Sequence, residues 1–168
     1  MAATATYTEW QTDALAAASA TNAVIEGDDA TTDASTATTR LGNYTQISDK
    51  VARVTGTQRA VDSAGRSDEM AYQVMKRAEE LKRDVESALL ANNAQVAGND
   101  TTARETGGIG SWIATNDDLG SGGASPTGDG TDARTDGTQR AFAEADLKTV
   151  LAACWDQGGE PDTIMVGS

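Results

Sequence analysis

The sequence predicts a mixed helix-and-strand chain with too little apolar material to close a core by itself. Three observations predict it. Two segments bearing Thr and aromatic residues, 3–12 and 40–57, have the composition of extended strands. Residues 67–91 carry the strongest helical periodicity in the chain. Only 38% of the 168 residues are hydrophobic and 4% aromatic, with much of the apolar count supplied by Ala, which is below the usual share. A chain so composed leans toward disorder or takes its buried surface from neighbouring copies.

In the first strand, alternation puts Tyr7, Glu9 and Gln11 on one face and Thr6, Thr8, Trp10 and Thr12 on the other. Residues 13–39, rich in Ala, Thr, Ser and Asp around the apolar pair Val24 and Ile25, predict a long exposed loop. The second strand places Ile47, Val51 and Thr55 on one face and Tyr44, Ala52 and Val54 on the other. Together the strands predict a two-stranded ribbon, which is marginal alone in water and must lie against something else.

The helix of residues 67–91 has Ser67 as its expected N-cap, with Asp68 and Glu69 at the positive end of its dipole. Met70, Val74, Ala78, Leu81, Val85 and Ala88 form one apolar stripe. Lys76–Glu80, Glu79–Arg83 and Lys82–Glu86 stand at i,i+4 spacing. Asn92, Asn93 and Gly98 mark its end, giving about six or seven turns. Residues 98–138 read as irregular and Gly-rich, anchored by Ile109, Trp112 and Ile113, with a flexible loop over 120–130. A second helix is expected over 139–157, with Phe142, Leu147, Val150, Leu151, Cys154 and Trp155 on one face and Gly158 and Gly159 as its stop. Thr163 to Val166 then reads as a short apolar strand that needs a sheet.

The charges and motifs exclude several functions. The net charge is −13, and no basic patch is available to release counterions from phosphates, so sequence-specific nucleic-acid binding is not expected. No run of about 18 apolar residues is present and no secretory signal core begins the chain, so a soluble, cytoplasmically made protein without membrane contact is expected. There is no histidine, which removes Ser–His–Asp and Cys–His catalysis and histidine metal sites. Cys154 on an apolar helix face reads as an inert buried thiol. Gly107 to Trp112 lacks the third glycine of a dinucleotide loop and does not follow a strand. Asp132 to Ala143 fails as a calcium loop at Arg134 and Ala143, leaving Asp129, Asp132 and Asp136 only adventitious cation binding. Asp28–Asp29 and Asp117–Asp118 read as solvated acidic loops. No enzyme, catalytic residue, cofactor or metal is expected.

Several stretches resemble tailed-bacteriophage major capsid proteins of the HK97-like fold: ATYTEWQTDALAAASATNAVIEGDDA, NYTQISDKVARVTGTQRAVDSAGR, ELKRDVESALLANNAQVAGN and GGEPDTIMVG. The order of elements is similar too, and the helix following AVDSAGR is the most specific part. The resemblance implies a partial HK97-like fold of class α+β, corresponding to the N-terminal half of proteins about twice this length. It implies an extension-loop (E-loop) β-ribbon with its long loop over 1–60, a spine helix of the peripheral domain over 61–97, a Gly-rich segment over 98–138 and the start of the axial domain over 139–168. It further implies a shell subunit of the virion, made in the host bacterial cytoplasm, that self-assembles into hexamers and pentamers around double-stranded DNA. Tyr7, Trp10, Val24, Ile25, Tyr44, Ile47, Arg53, Arg59 and Arg66 are the candidate inter-subunit contacts. Other copies of the chain are the expected partners, with scaffolding, portal or decoration proteins as further candidates and DNA met only non-specifically. No lysine precedes Lys50, so the covalent cross-link of the family's type example is not expected. Two other readings remain: an acidic surface or adhesion module without catalysis, and a carboxylate-dependent hydrolase.

Overall fold

The computed structural model describes residues 4–29, 35–61 and 64–166. It is a mixed helix-and-sheet chain. Strands β1 (Tyr7–Thr12) and β2 (Thr39–Tyr44) pair antiparallel, with Tyr7 opposite Tyr44, Trp10 opposite Leu41 and Thr12 opposite Thr39. The loop between them is long and exposed over its described residues.

The second strand stops at Tyr44, well short of residue 57, because its partner runs out. Thr45 N–H still donates to the Thr6 carbonyl at 3.0 Å. Side chains from the Gly-rich segment then take over: Thr106 Oγ1 donates to the Tyr44 carbonyl at 2.7 Å and Arg104 Nε to the Thr45 carbonyl at 2.7 Å. Residues 45–55 continue as an arm without ladder pairing. The predicted strand ends instead in a short helix, α1 (Gly56–Ala60), because Thr55 accepts from Gln58 N–H and so acts as an N-cap.

Helix α2 (Glu69–Leu90) is about 33 Å long. Its cap is Asp68 rather than Ser67: the carboxylate accepts from Ala71 N–H, the N3 position, at 3.1 Å. Glu80 pairs with Arg77 at i,i+3 rather than with Lys76. The three expected i,i+4 contacts are not among the ion pairs of the described residues, in keeping with the small gain such exposed pairs offer. The half-covered side of α2 is largely polar, with Glu69, Gln73, Arg77 and Glu80 beside Met70, Leu81 and Ala88. Lys50 Nζ reaches Asp84 at 2.6 Å and ties the arm to the helix. Val74 and Val85 of the apolar stripe are 52% and 41% exposed.

The segment after α2 overturns the expectation of a flexible loop. It is knitted by hydrogen bonds between residues far apart in sequence. Asn92 bonds both main-chain groups of Arg134, Gln95 N–H donates to the Gly130 carbonyl at 2.8 Å, and single bridges join Val96 to Glu105 and Ala124 to Thr135. A 3-10 turn at Ile109–Ser111 lies inside it. The glycines allow close approach rather than looseness. A Cβ at Gly108 would lie 1.9 Å from the Ala91 carbonyl oxygen. One at Gly130, whose φ is +78°, would lie 2.3 Å from the Trp112 ring.

Helix α3 (Glu144–Asp156) begins later than expected, where the Asp146 carboxylate accepts from Ala143 N–H. Phe142 therefore lies before the helix and is 77% exposed. The helix ends as the two glycines predict: Gly158, at φ +80°, and Gly159 donate to the carbonyls of Trp155 and Cys154 in a Schellman motif. Thr163–Val166 forms no strand, since no sheet edge is there to pair with it.

Among the described residues no large hydrophobic side chain is buried; the buried positions are Gly42, Gly107, Gly108, Ser111, Pro126 and Gly130. The accessible surface is 13701 Å². A compact monomer of 17.3 kDa exposes about 7,800 Å².

Candidate functional site

The register of β1 and β2 puts Thr8, Trp10 and Thr12 on the same ribbon face as Leu41 and Asn43. That face meets the Gly-rich segment at the ribbon's base. The rings of Trp10 and Trp112 lie 5.0 Å apart between centroids at an interplanar angle of 52°. Asn43 accepts from Gly107 N–H at 2.9 Å and donates to the Gly107 carbonyl at 3.3 Å. An open apolar groove of about 540 Å³ runs beside this contact, lined by Thr8, Trp10, Leu41, Tyr44 and Trp112 among others. On the opposite face Tyr7 and Tyr44 meet at 4.6 Å between ring centroids. Gly42 lets the Tyr7 ring come close to the main chain of β2, since a Cβ there would collide with that ring.

The structure thus joins Tyr7 to Tyr44 and Trp10 to Trp112 within one chain and leaves the other expected contact residues apart. Val24, Ile25 and Ile47 are 86%, 78% and 84% exposed. Val24 and Ile25 sit at a turn in which Asp28 N–H donates to the Ile25 carbonyl and Gly27 takes φ +85°. Arg53 and Arg59 are exposed and form no ion pair with a carboxylate among the described residues. Arg66 makes two bonds to Glu69 and lies over the Tyr72 ring at 3.9 Å.

The electrostatics serve local structure. The hydrogen bond from Gln73, helped by Arg66, holds the Glu69 carboxyl below the usual carboxylate range. Arg77 does the same for Glu80, and the hydroxyl and main-chain N–H of Thr131, with Thr127, for Asp129. Asp118 pushes the Arg140 guanidinium up. Asp132 accepts from Thr127 N–H, so the aspartates of this region stabilise turns. Among the described residues no group of three or more His, Cys, Asp or Glu side chains could hold a metal ion. No helix of the described residues is long and apolar enough to cross a membrane.

Sequence reasoning singled out Trp112 as an anchor but not Trp10 as its partner. It missed the amides of Asn43, Asn92, Asn93 and Gln95, which fasten the ribbon and α2 to the Gly-rich segment. The available signal was their place, beside glycines and at a helix end, where side-chain amides replace main-chain partners.

Among the described residues the large apolar side chains face outward and none is buried in a core. Residues 1–168 match the family described as SU10 major capsid protein, and the chain belongs to that family. It is 30% identical over 193 residues to the major capsid protein of Escherichia phage Phieco32. That match covers 96% of this chain and 55% of that protein, so the chain spans about half the length of this relative.

Proposed function

We propose that the chain acts as a structural subunit of a bacteriophage shell, built by association with other copies of itself and carried in the virion around packaged DNA. The observation that carries this reading is the surface. The exposed area exceeds that of a compact monomer by roughly three-quarters, and Val24, Ile25, Val74, Trp155 and Ile164 are among its exposed hydrophobic side chains. Apolar surface on that scale is covered by association.

Within this reading the fold is HK97-like. The ribbon and its loop serve as the extension loop that reaches over a neighbour, α2 as the spine helix, and α3 with the segment after it as the start of the axial domain. The contacts between copies include Val24, Ile25, Ile47, Arg53 and Arg59, with Tyr7, Trp10 and Tyr44 setting the ribbon's shape and Arg66 the corner before α2. Scaffolding, portal or decoration proteins bind the assembled shell. Subunits related by heterologous contacts close into rings. Electron microscopy of the purified protein, imaged across salt and concentration, is expected to show rings or shells. Featureless monomer under every condition contradicts the reading.

A further inference from the structure

We propose that residues 46–54 form a strap laid on α2, closed by the single contact between Lys50 and Asp84 and opened by rising ionic strength. The inference is independent of the shell reading, because it concerns contacts within one chain.

The strap is fixed at both ends and little held between them. At its start Arg104 Nε donates to the Thr45 carbonyl at 2.7 Å, and Thr106 N–H donates to the Gln46 side-chain oxygen at 3.3 Å. At its end the Thr55 hydroxyl accepts from Gln58 N–H and caps α1. Between these points no ladder pairs the backbone. Ile47 and Val51 are 84% and 73% exposed, and only Ser48, Ala52 and Val54 are half-covered. A segment with so few buried contacts opens locally at small cost. Among the described residues, the contact of Lys50 Nζ with Asp84 Oδ2 at 2.6 Å is the one hydrogen bond or ion pair that joins residues 47–54 to α2.

The surrounding charges leave that contact near balance. Lys50, Glu80, Arg83, Asp84 and Ser87 line one hollow of about 320 Å³. Glu80 is already paired with Arg77. Arg83 sets a like charge beside Lys50, and Asp49 and Arg53 are the other charges of the strap. The Lys50 and Asp84 side chains are 34% and 49% exposed, so water and salt reach both. A pair of this kind favours the closed form by only about two- to fivefold. Its field extends roughly 30 Å at about 0.01 M salt and only about 3 Å at about 1 M, so ionic strength is the variable that opens the strap. Opening releases the stretch that leads from β2 to α1 and uncovers the Asp84 side of α2.

Trypsin cleavage after the exposed Arg53 reads the opening. It is followed by mass spectrometry on the dilute, unassembled protein and normalised to a reference peptide in the same tube. In the unsubstituted chain, raising salt from about 0.01 M to about 1 M is expected to speed cleavage about two- to fivefold. Lys50→Gln and Asp84→Asn are each expected to give the same gain at low salt and to lose the salt response, with nothing further gained in the double variant. Lys50→Asp with Asp84→Lys is expected to restore both slow cleavage and the salt response. Cleavage of the unsubstituted chain that salt does not speed overturns the strap, and this arm needs no variant to fold. A salt response that persists in Asp84→Asn overturns it too, as does faster cleavage in both single variants without recovery in the reversed pair.

Discussion

Helix α2 and the Gly-rich segment that follows it meet at Ala91 and hold themselves together by opposite means. Helix α2 is regular over 22 residues, and none of its side chains is buried. The segment over 92–138 has little regular structure, yet it contains every buried described position except Gly42. A helix satisfies its backbone internally and asks neighbours only to cover its apolar stripe. An irregular segment must find partners for each buried main-chain group elsewhere, and here Asn92, Asn93 and Gln95 supply several of them. Regularity and burial are therefore separate properties in this chain, and the regular element is the one left with surface to cover.

Substitutions sharpen that contrast. The largest effect is expected from Gly108→Ala, which forces a Cβ onto the Ala91 carbonyl oxygen. Main chain cannot rotate away, so urea titration is expected to show a loss of about 3 kcal/mol. Trp112→Ala removes the ring packed against Trp10. Half-buried as it is, it is expected to cost about 2 kcal/mol and to shift Trp10 emission toward the red. Asn92→Ala breaks the two bonds to Arg134, for an expected 1–2 kcal/mol or about that by thermal melting.

In α2 the same approach gives little. Val85→Ser changes a stripe residue that is itself 41% exposed; in the unassembled protein stability is expected to move by no more than about 0.5 kcal/mol, while assembly weakens. A large loss in the unassembled protein would show that α2 is already packed, and the contrast between the two regions would fail.

Acid acts on α2 through Glu69 and Glu80, whose carboxyls are held below their ordinary value of 4.5. A depressed carboxyl contributes stability that is full above that value and is lost as pH falls below it through the folded value. Both groups are still reached by solvent, which screens them, so the smallest change of the set is expected: a modest loss of helical ellipticity on the acid side of 4.5 and none between neutral pH and about 5.5. Loss beginning near neutrality would point to a different group.

How much of this was legible in the sequence depended on whether the signal was local. Helix α2 was readable because its period, the Asp and Glu at its start and its Asn stop all lie in or beside the element. The turn at Gly158 and Gly159 was readable for the same reason. The ribbon's existence was readable, but its end at Tyr44 was not, because its partner runs out there and the carbonyls of Tyr44 and Thr45 pass to Thr106 and Arg104, some sixty residues away. Composition misled at 120–130, where Gly120, Gly123 and Gly130, though not Gly122, are sites of close approach to Thr138, Gly137 and the Trp112 ring. The strand expected at Thr163–Val166 needed a sheet edge, and local pattern carries no information about whether one is near. Of the proposed contact residues, Val24, Ile25, Arg53 and Arg59 stand out in the sequence as apolar or basic side chains in polar surroundings. The pairing of Trp10 with Trp112 depended on the fold.

The central claim is that this chain covers its apolar surface by association. Sedimentation velocity of the purified protein over a concentration series tests it most directly. A mass above 17.3 kDa that grows with concentration toward discrete assemblies is expected. A constant 17.3 kDa species at every concentration and salt would contradict it.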